Sequence, residues 1–202
     1  MPNSPAEVFR ALAEALGRIG LGWYVFGAQA VMVWGRPRFT EDIDITVACT
    51  PASSPLLVSA LEACGFGLRV PDVGDFVVST WVLPLEHLET GIPVDVVLGA
   101  SGLEEQFLAR ARRVRLGDVD VPFISPEDLV VAKILAGRTK DLEDAQGILQ
   151  LQADRLDIGQ VRTLLGLLEE ALDPSDLLMS LDRILNAARK RGPRPTKSRQ
   201  ER

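Results

Sequence analysis

The pattern of apolar and polar residues in the first fifty positions predicts a strand, a helix and a second strand. The apolar run Trp23–Phe26 predicts the first strand, and Gly27-Ala28 then opens a helix that ends near Trp34. A polar, basic connection follows. From Asp42 to Ile45 apolar and polar residues alternate, which is the pattern of a half-buried strand. We interpret this segment as the one around which the chain is organised.

The alternating strand also carries candidate chemistry. Its period of two places Ile43 and Ile45 on one face and Asp42 and Asp44 on the other. Two neighbouring carboxylates repel each other and are costly to bury. A divalent cation removes that cost, because hard cations are bound by carboxylate oxygens. The pattern therefore predicts a metal site.

Further strands and helices are predicted on both sides of this segment. Ser4-Pro5-Ala6-Glu7 is a capping box, and the apolar stripe that follows predicts a helix ending at Gly20 or Gly22. Helices are predicted at 56–63 and 103–109, strands at Phe76–Leu83, Pro93–Leu98, Arg112–Leu116 and Val119–Phe123, and a turn at Glu86–Gly91 with His87 exposed. The last two strands form a hairpin across Gly117-Asp118.

A third carboxylate interrupts an otherwise apolar strand. Asp95 is the one charged residue of Pro93–Leu98. Such a residue is either paired structurally or a ligand, and the presence of Asp42 and Asp44 favours a third metal ligand.

Composition separates three parts of the chain and restricts the chemistry. Near Phe123 the pattern changes from mixed to helical, so we predict a core at 1–123, a helical part at 124–188 and a disordered basic tail at 189–202. Helices are predicted at 126–136, 140–150, 158–172 and 174–188. The only two cysteines and one histidine argue against a disulfide framework and a zinc site, and they favour a reducing cytoplasm. No apolar run reaches the ~20 residues of a membrane helix.

Charge is unevenly distributed between the tail and the rest of the chain. Residues 189–202 hold seven of the 22 basic side chains and one of the 28 acidic ones, which leaves 15 basic and 27 acidic side chains elsewhere. We interpret the tail as solvated, with an arm for nucleic-acid phosphates as the alternative.

Glycine at the end of the first strand favours a phosphate site. A strand that turns into a helix at Gly27 directs backbone N–H groups at the helix start, although a tight turn alone explains the same residues. Carboxylates on two neighbouring strands can hold two Mg²⁺ ions, which clamp a phosphate for in-line displacement. Together these features indicate nucleotidyl transfer.

At these residues the chain resembles the nucleotidyltransferase superfamily typified by DNA polymerase β, and more narrowly the AbiEii/AbiGii toxin-type members. The matching residues are Phe26-Gly27-Ala28, the run Arg38-Phe39-Thr40-Glu41-Asp42-Ile43-Asp44, and Asp95. A later run from Pro126 to Asp144 is similar to the helical half of the toxin-type members. The resemblance implies an α+β fold, a mixed β-sheet with flanking helices that is followed by a helical part.

The resemblance also implies functions for individual residues. Asp42 and Asp44 would bind both metals, Mg²⁺ or Mn²⁺, and Asp95 would bind the catalytic one and help to deprotonate the acceptor hydroxyl. The nucleoside triphosphate would be contacted by Gly27, Ala28, Arg38, Thr40, Lys133, Arg138 and Lys140. Ala28 departs from the family's Gly or Ser and lacks the hydroxyl of serine.

The acceptor and the biological setting stay open. Relatives suggest RNA or a tRNA 3′ end, a protein hydroxyl or a small antibiotic, and a cognate toxin or antitoxin partner. Asp42-Ile43-Asp44-Ile45-Thr46 also fits the first motif of haloacid-dehalogenase phosphatases, but no apolar strand runs into its first Asp. A second alternative is a catalytically inactive scaffold that acts as an antitoxin or binding protein, against which the intact triad argues.

Overall fold

The computed structural model describes residues 4–99, 101–172 and 176–190, and it confirms the predicted fold class. These residues form one mixed sheet of seven strands and nine α-helices. The strands are β1 (Trp23–Val25), β2 (Ile43–Val47), β3 (Phe66–Leu68), β4 (Val82–His87), β5 (Ile92–Leu98), β6 (Arg112–Leu116) and β7 (Val119–Phe123). The helices are α1 (Pro5–Ile19), α2 (Gly27–Trp34), α3 (Ser54–Glu62), α4 (Val73–Thr80), α5 (Gly102–Ala109), α6 (Pro126–Ala136), α7 (Thr139–Gln152), α8 (Ile158–Ala171) and α9 (Leu177–Lys190).

Strand order places the acidic strand at the centre of the sheet. The order is β3-β4-β5-β2-β1-β7-β6, with β2–β5 and β1–β7 parallel and the other neighbours antiparallel. In the β2–β5 pair Asp44 lies opposite Asp95. Because opposite residues in a sheet share a face, this register directs both side chains to the same side.

The chain divides into two compact units. The first comprises Met1–Ala30 and Arg38–Ser125 and contains the whole sheet, and the second comprises Val31–Pro37 and Pro126–Arg202. The second half of α2 therefore groups with the helical unit, whereas our predicted boundary near Phe123 assigned all of α2 to the core. The difference arises because a boundary read from the sequence places a whole helix in one domain, whereas the two ends of α2 pack against different parts of the chain.

Helix α1 packs against β7 and α3 in the first unit and ends where the sequence predicts. The Ser4 hydroxyl accepts a hydrogen bond from the N–H of Ala6, and Gly20 ends the helix with a φ of 67°. The ring of Phe9 meets that of Phe123 edge to face, with centroids 6.0 Å apart. Both rings are almost fully buried, so this contact belongs to the core of the sheet unit.

Helix α6 forms the centre of the helical unit. Its consecutive residues Leu129, Val130 and Val131 are all buried, so α6 is enclosed on several sides. Gly35 approaches α7 so closely that a Cβ added there would lie 2.9 Å from Cγ1 of Ile148. None of the helices in the described part of the chain is both long and apolar enough to cross a membrane.

One strand prediction is wrong. The β-branched and aromatic residues of Phe76–Leu83 predict a strand, but α4 occupies the first five residues of this run and β4 begins at Val82. The hydroxyls of Ser79 and Thr80 donate to the carbonyl of Phe76, at 2.9 and 2.7 Å, so both polar groups find a partner within the helix. Trp81 ends α4 in a left-handed conformation, with a φ of 58°.

The exposed His87 is also a wrong prediction. Strand β4 continues through His87, which lies opposite Ile92 on β5 and Phe66 on β3. Only 5% of His87 is exposed, and its Nδ1 is 2.9 Å from the hydroxyl of Thr90. The ring is buried because β3, a strand that the sequence did not predict, covers this edge of the sheet.

The C-terminal helix extends two residues into the segment predicted as tail. Helix α9 includes Arg189 and Lys190, and residues 191–202 lie outside the described residues. We expect a chain that ends at Lys190 to keep the melting temperature of the full chain, because residues 191–202 contain no large apolar side chain to offset ordering entropy. Thermal unfolding of both chains measures this, and a drop of several degrees would contradict it. If the tail binds RNA, the shorter chain should bind RNA more weakly and with a flatter salt dependence.

Candidate active site

The structure brings the three predicted carboxylates together. Asp42 lies just before β2, Asp44 lies within it and Asp95 lies opposite Asp44 on β5. One oxygen atom from each of the three lies within 4.8 Å of the others, and all three residues are half-buried. Repulsion among three carboxylates so close together disfavours the cluster unless positive charge is supplied.

Local hydrogen bonds hold this acidic cluster in place. The amide of Gln29, on α2, donates to the carbonyl of Asp42 at 3.3 Å, and the hydroxyl of Thr40 donates to the Asp42 carboxylate. The N–H of Phe26 donates to the carbonyl of Asp44 at 3.0 Å. The strand–turn–helix segment and the acidic strand are therefore tied to each other through the backbone.

Gly27 stands directly against the Asp44 carboxylate. Its φ of 62° is a left-handed conformation, which glycine adopts easily and residues with a Cβ disfavour. A Cβ added at Gly27 would lie 1.8 Å from Oδ2 of Asp44, which is far inside contact distance. The turn therefore requires glycine for two independent reasons. Because α2 begins here, the first N–H groups of a helix lie beside the acidic cluster.

Other predicted site residues of the first unit occupy the same turn and connection. Ala28 is buried in the first turn of α2, and Arg38 is half-buried in the connection between α2 and β2. Contact of these residues with a triphosphate stays a prediction.

Sequence reasoning missed a basic residue at the acidic cluster. A guanidinium nitrogen of Arg69 is 2.8 Å from Oδ1 of Asp95, and the two side chains are 36% and 34% exposed. Arg69 follows β3, and its N–H donates to the carbonyl of Pro84 on β4 at 3.0 Å. No signal in the sequence connects Arg69 with Asp95, because the contact depends on the unpredicted pairing of β3 with β4.

The predicted basic residues of the helical unit form a cluster of their own. The ammonium of Lys133, on α6, is 2.8 Å from Asp141 and 2.9 Å from Asp144, both on α7. All three side chains are at least nine-tenths buried. The exposed Arg138 donates to the other oxygen of Asp141, and the exposed Lys140 lies in the first turn of α7.

These contacts decide the ionisation of Asp141. Burial works to raise the pKa of its carboxyl, but the hydrogen bonds from Arg138 and Lys133 outweigh it and hold the pKa below its ordinary value. The Lys133–Asp141–Asp144 cluster therefore joins α6 to α7 as a charged, paired contact. The predicted contact of Lys133, Arg138 and Lys140 with a triphosphate stays a prediction.

Solved structures with similar folds include a nucleotidyltransferase-like protein and an antibiotic-resistance factor. An antigenic nucleotidyltransferase-like protein from Paracoccidioides brasiliensis is 20% identical with a TM-score of 0.53, and the similarity covers 93% of this chain and 95% of that one. The structure of ANT(2″)-Ia in complex with adenylyl-2″-tobramycin is 16% identical with a TM-score of 0.50, covering 92% of this chain and 97% of that one. Identities this low show a shared fold only.

The sequence itself identifies the family. No curated protein gives a significant match. Residues 11–176, which include the glycine turn, the acidic cluster and helices α6 to α8, match the family described as "Nucleotidyltransferase of unknown function (DUF6036)". Because this match extends over most of the chain, the protein belongs to this family of nucleotidyltransferases.

Proposed function

We propose that the protein is a metal-dependent enzyme that transfers a nucleoside monophosphate from a nucleoside triphosphate to an acceptor hydroxyl. The observation that carries this proposal is the convergence of Asp42, Asp44 and Asp95 beside the turn at Gly27. The combination joins a site for cations to a helix start that favours anions.

The acidic cluster fits a divalent cation. Carboxylate oxygens bind Mg²⁺ at about 2.1 Å, so two ligands of one ion lie up to about 4 Å apart, and larger or bridging ions allow slightly more. The separation of at most 4.8 Å among the three oxygens is compatible with shared ions after small side-chain rotations. When bound, Mg²⁺ or Mn²⁺ would neutralise phosphate charge and acidify the acceptor hydroxyl.

Each residue of the site then has a distinct task. Asp42 and Asp44 would hold two cations, one that carries the triphosphate and one at the acceptor hydroxyl, and Asp95 would help to hold the second. Gly27 allows the phosphates to approach the start of α2. The acceptor oxygen forms a bond to the α-phosphorus, the bond to pyrophosphate breaks, and pyrophosphate leaves with that electron pair. The proton of the acceptor hydroxyl passes to Asp95. Thr40 orients Asp42 through their hydrogen bond.

We further propose a toxin-type nucleotidyltransferase, with RNA, a tRNA 3′ end, a protein hydroxyl or a small molecule as acceptor. The run from Pro126 to Asp144 supports this narrower relationship, because it forms helices α6 and α7 with their charged cluster. A cognate antitoxin would be the protein partner. ANT(2″)-Ia, with its adenylyl-2″-tobramycin, is a precedent of the same fold for a small-molecule acceptor.

Incubation with each labelled nucleoside triphosphate and Mg²⁺ tests the proposal. The acceptors are total RNA, total protein and an aminoglycoside, each in a separate reaction, with chelator and Asp44→Asn as controls. Label transferred to one acceptor class only with Mg²⁺ and wild-type protein supports an enzyme. Metal-dependent triphosphate binding without any transfer would instead favour the binding-protein alternative. Absence of both would contradict the proposal.

Replacing Gly27 with Ala should disable the site. The new Cβ would collide with the Asp44 carboxylate, and the left-handed backbone would cost a further ~1–2 kcal/mol. We expect Mg²⁺-dependent triphosphate affinity to fall at least about ten-fold, because either the Asp44 carboxylate or the backbone of the turn must shift. Calorimetric titration measures this loss. Gly17→Ala is the matched control, since a Cβ at Gly17 meets nothing within 4 Å and the helix should gain stability. Equal triphosphate affinity in both variants would contradict the assignment of the turn.

A further inference from the structure

Arg69 lies in the same transverse row of the sheet as the carboxylates. Its N–H donates to Pro84, Pro84 lies opposite Asp95, and Asp95 lies opposite Asp44. Residues that are opposite one another across neighbouring strands project from the same face. Arg69 and the acidic cluster therefore share a face, and the short side chain of Pro84 between them allows the guanidinium to reach Asp95.

The contact of Arg69 uses the carboxylate that the proposed site requires. Its guanidinium lies 2.8 Å from Oδ1 of Asp95, and the same carboxylate contributes an oxygen to the acidic cluster. A guanidinium and a divalent cation both seek carboxylate oxygens, and they repel each other at short range. The pair is about one-third exposed, so water screens it and a dication can displace it.

We propose that Arg69 and a divalent cation compete for Asp95. This inference rests on the proposed cation site. Before the cation binds, Arg69 supplies the positive charge that the cluster needs and keeps the Asp95 carboxylate on the face it shares with Asp44. Loading of the site at Asp95 then requires Arg69 to give up that contact. Arg69 is a positioning residue, because it acts on the cation through Asp95.

Cation binding without nucleotide tests the competition directly. Mn²⁺ is titrated into wild-type protein and Arg69→Gln at low ionic strength, and free Mn²⁺ is followed by electron paramagnetic resonance. Two charges of +1 and +2 about 5 Å apart interact strongly enough, even in water, to change affinity on the order of ten-fold. We expect Arg69→Gln to bind Mn²⁺ at least about five-fold more tightly. Arg69→Lys, which keeps the charge, should stay closer to wild type.

Two controls separate competition from a general change of charge. Arg115→Gln removes the same charge from the exposed Arg115–Asp120 pair on the β6–β7 hairpin, and its Mn²⁺ affinity should stay within about two-fold of wild type. The second control repeats Arg69→Gln in an Asp95→Asn background. If Arg69 acts through Asp95, the gain in affinity should disappear there, because the two substitutions are coupled.

The outcomes distinguish this inference from the proposed function. Tighter Mn²⁺ binding by Arg69→Gln that is lost in the Asp95→Asn background supports competition. Unchanged or weaker binding by Arg69→Gln, or a gain that persists without Asp95, overturns it while the cation site stands. Failure of both wild type and Arg69→Gln to bind Mn²⁺ would overturn the cation site itself, and with it the metal dependence of the proposed function.

Discussion

Replacing Asp95 with Asn should lower the rate of nucleotidyl transfer on the order of 10²-fold or more and leave triphosphate binding largely intact. Asn keeps the shape of the side chain but removes the charge that favours the cation at the acceptor and accepts the hydroxyl proton. Asp42 and Asp44 remain in this variant, and they hold the triphosphate-bearing cation in the proposed site. The loss should therefore appear in the chemical step.

Asp44→Asn is the matched comparison, because Asp44 serves both cations in the proposed site. This variant should lose Mg²⁺-dependent triphosphate binding together with transfer. The measurement is paired: calorimetry of Mg²⁺-triphosphate binding, followed by transfer to the acceptor found active with wild-type protein. An Asp95→Asn variant that transfers at the wild-type rate would show that Asp95 is structural and would contradict its assignment to the acceptor cation.

Replacing Lys133 with Met should destabilise the helical unit by about 3–5 kcal/mol, as expected when one partner of a buried ionic cluster is removed. Methionine keeps the length and apolar stem of lysine, but Asp141 and Asp144 then lose their buried cation. Urea unfolding measures the loss. If the variant does not accumulate folded, Lys133→Arg, which keeps the charge, should restore part of the stability.

A surface pair provides the control for this experiment. Arg162 and Asp182 are 2.5 Å apart, on α8 and α9 of the same unit, but their side chains are 46% and 54% exposed. Arg162→Met should cost no more than about 1 kcal/mol, because water already solvates both charges. Equal losses in Lys133→Met and Arg162→Met would contradict the argument that burial makes the Lys133 cluster important.

Acid should weaken the Lys133–Asp141–Asp144 cluster in a pH range that is set by the pKa of Asp141. The pKa of Asp141 is lower in the folded protein than in the unfolded chain, so the folded protein binds fewer protons here. Its contribution to stability is therefore fully present above the unfolded pKa of about 3.9 and is lost as pH falls through the lower folded pKa. The difference in unfolding free energy between wild type and Asp141→Asn should be constant from about pH 7 to 5 and shrink below about pH 4. A difference that does not change in acid would contradict the low folded pKa.

The acidic cluster shows which features of the site can be predicted from short segments of the sequence. The alternation of Asp42 to Ile45 and the lone charge of Asp95 are properties of short segments, and strand geometry converts them into positions on a face. The glycine turn is equally local, since a left-handed backbone restricts the residue type at one position. These features predicted that the three carboxylates converge, whereas the mixed sheet was implied by the resemblance to nucleotidyltransferases.

Three features were decided by tertiary structure alone. The run Phe76–Leu83 has the composition of a strand, but its first five residues lie in α4, where only Val77 is buried, and β4 begins at Val82. His87 is buried because β3 and β5 lie on both sides of β4, and Lys133 binds two carboxylates because α6 packs against α7.

The contact between Arg69 and Asp95 depends on tertiary structure most of all. It joins residues 26 positions apart across a strand that separates them in the sheet. Sequence determined which residues carry charge and which short segments are strands or helices, because propensity and periodicity act over a few residues. The partner of Asp95 was decided by strand order and register, because these are set by burial summed over the whole sheet.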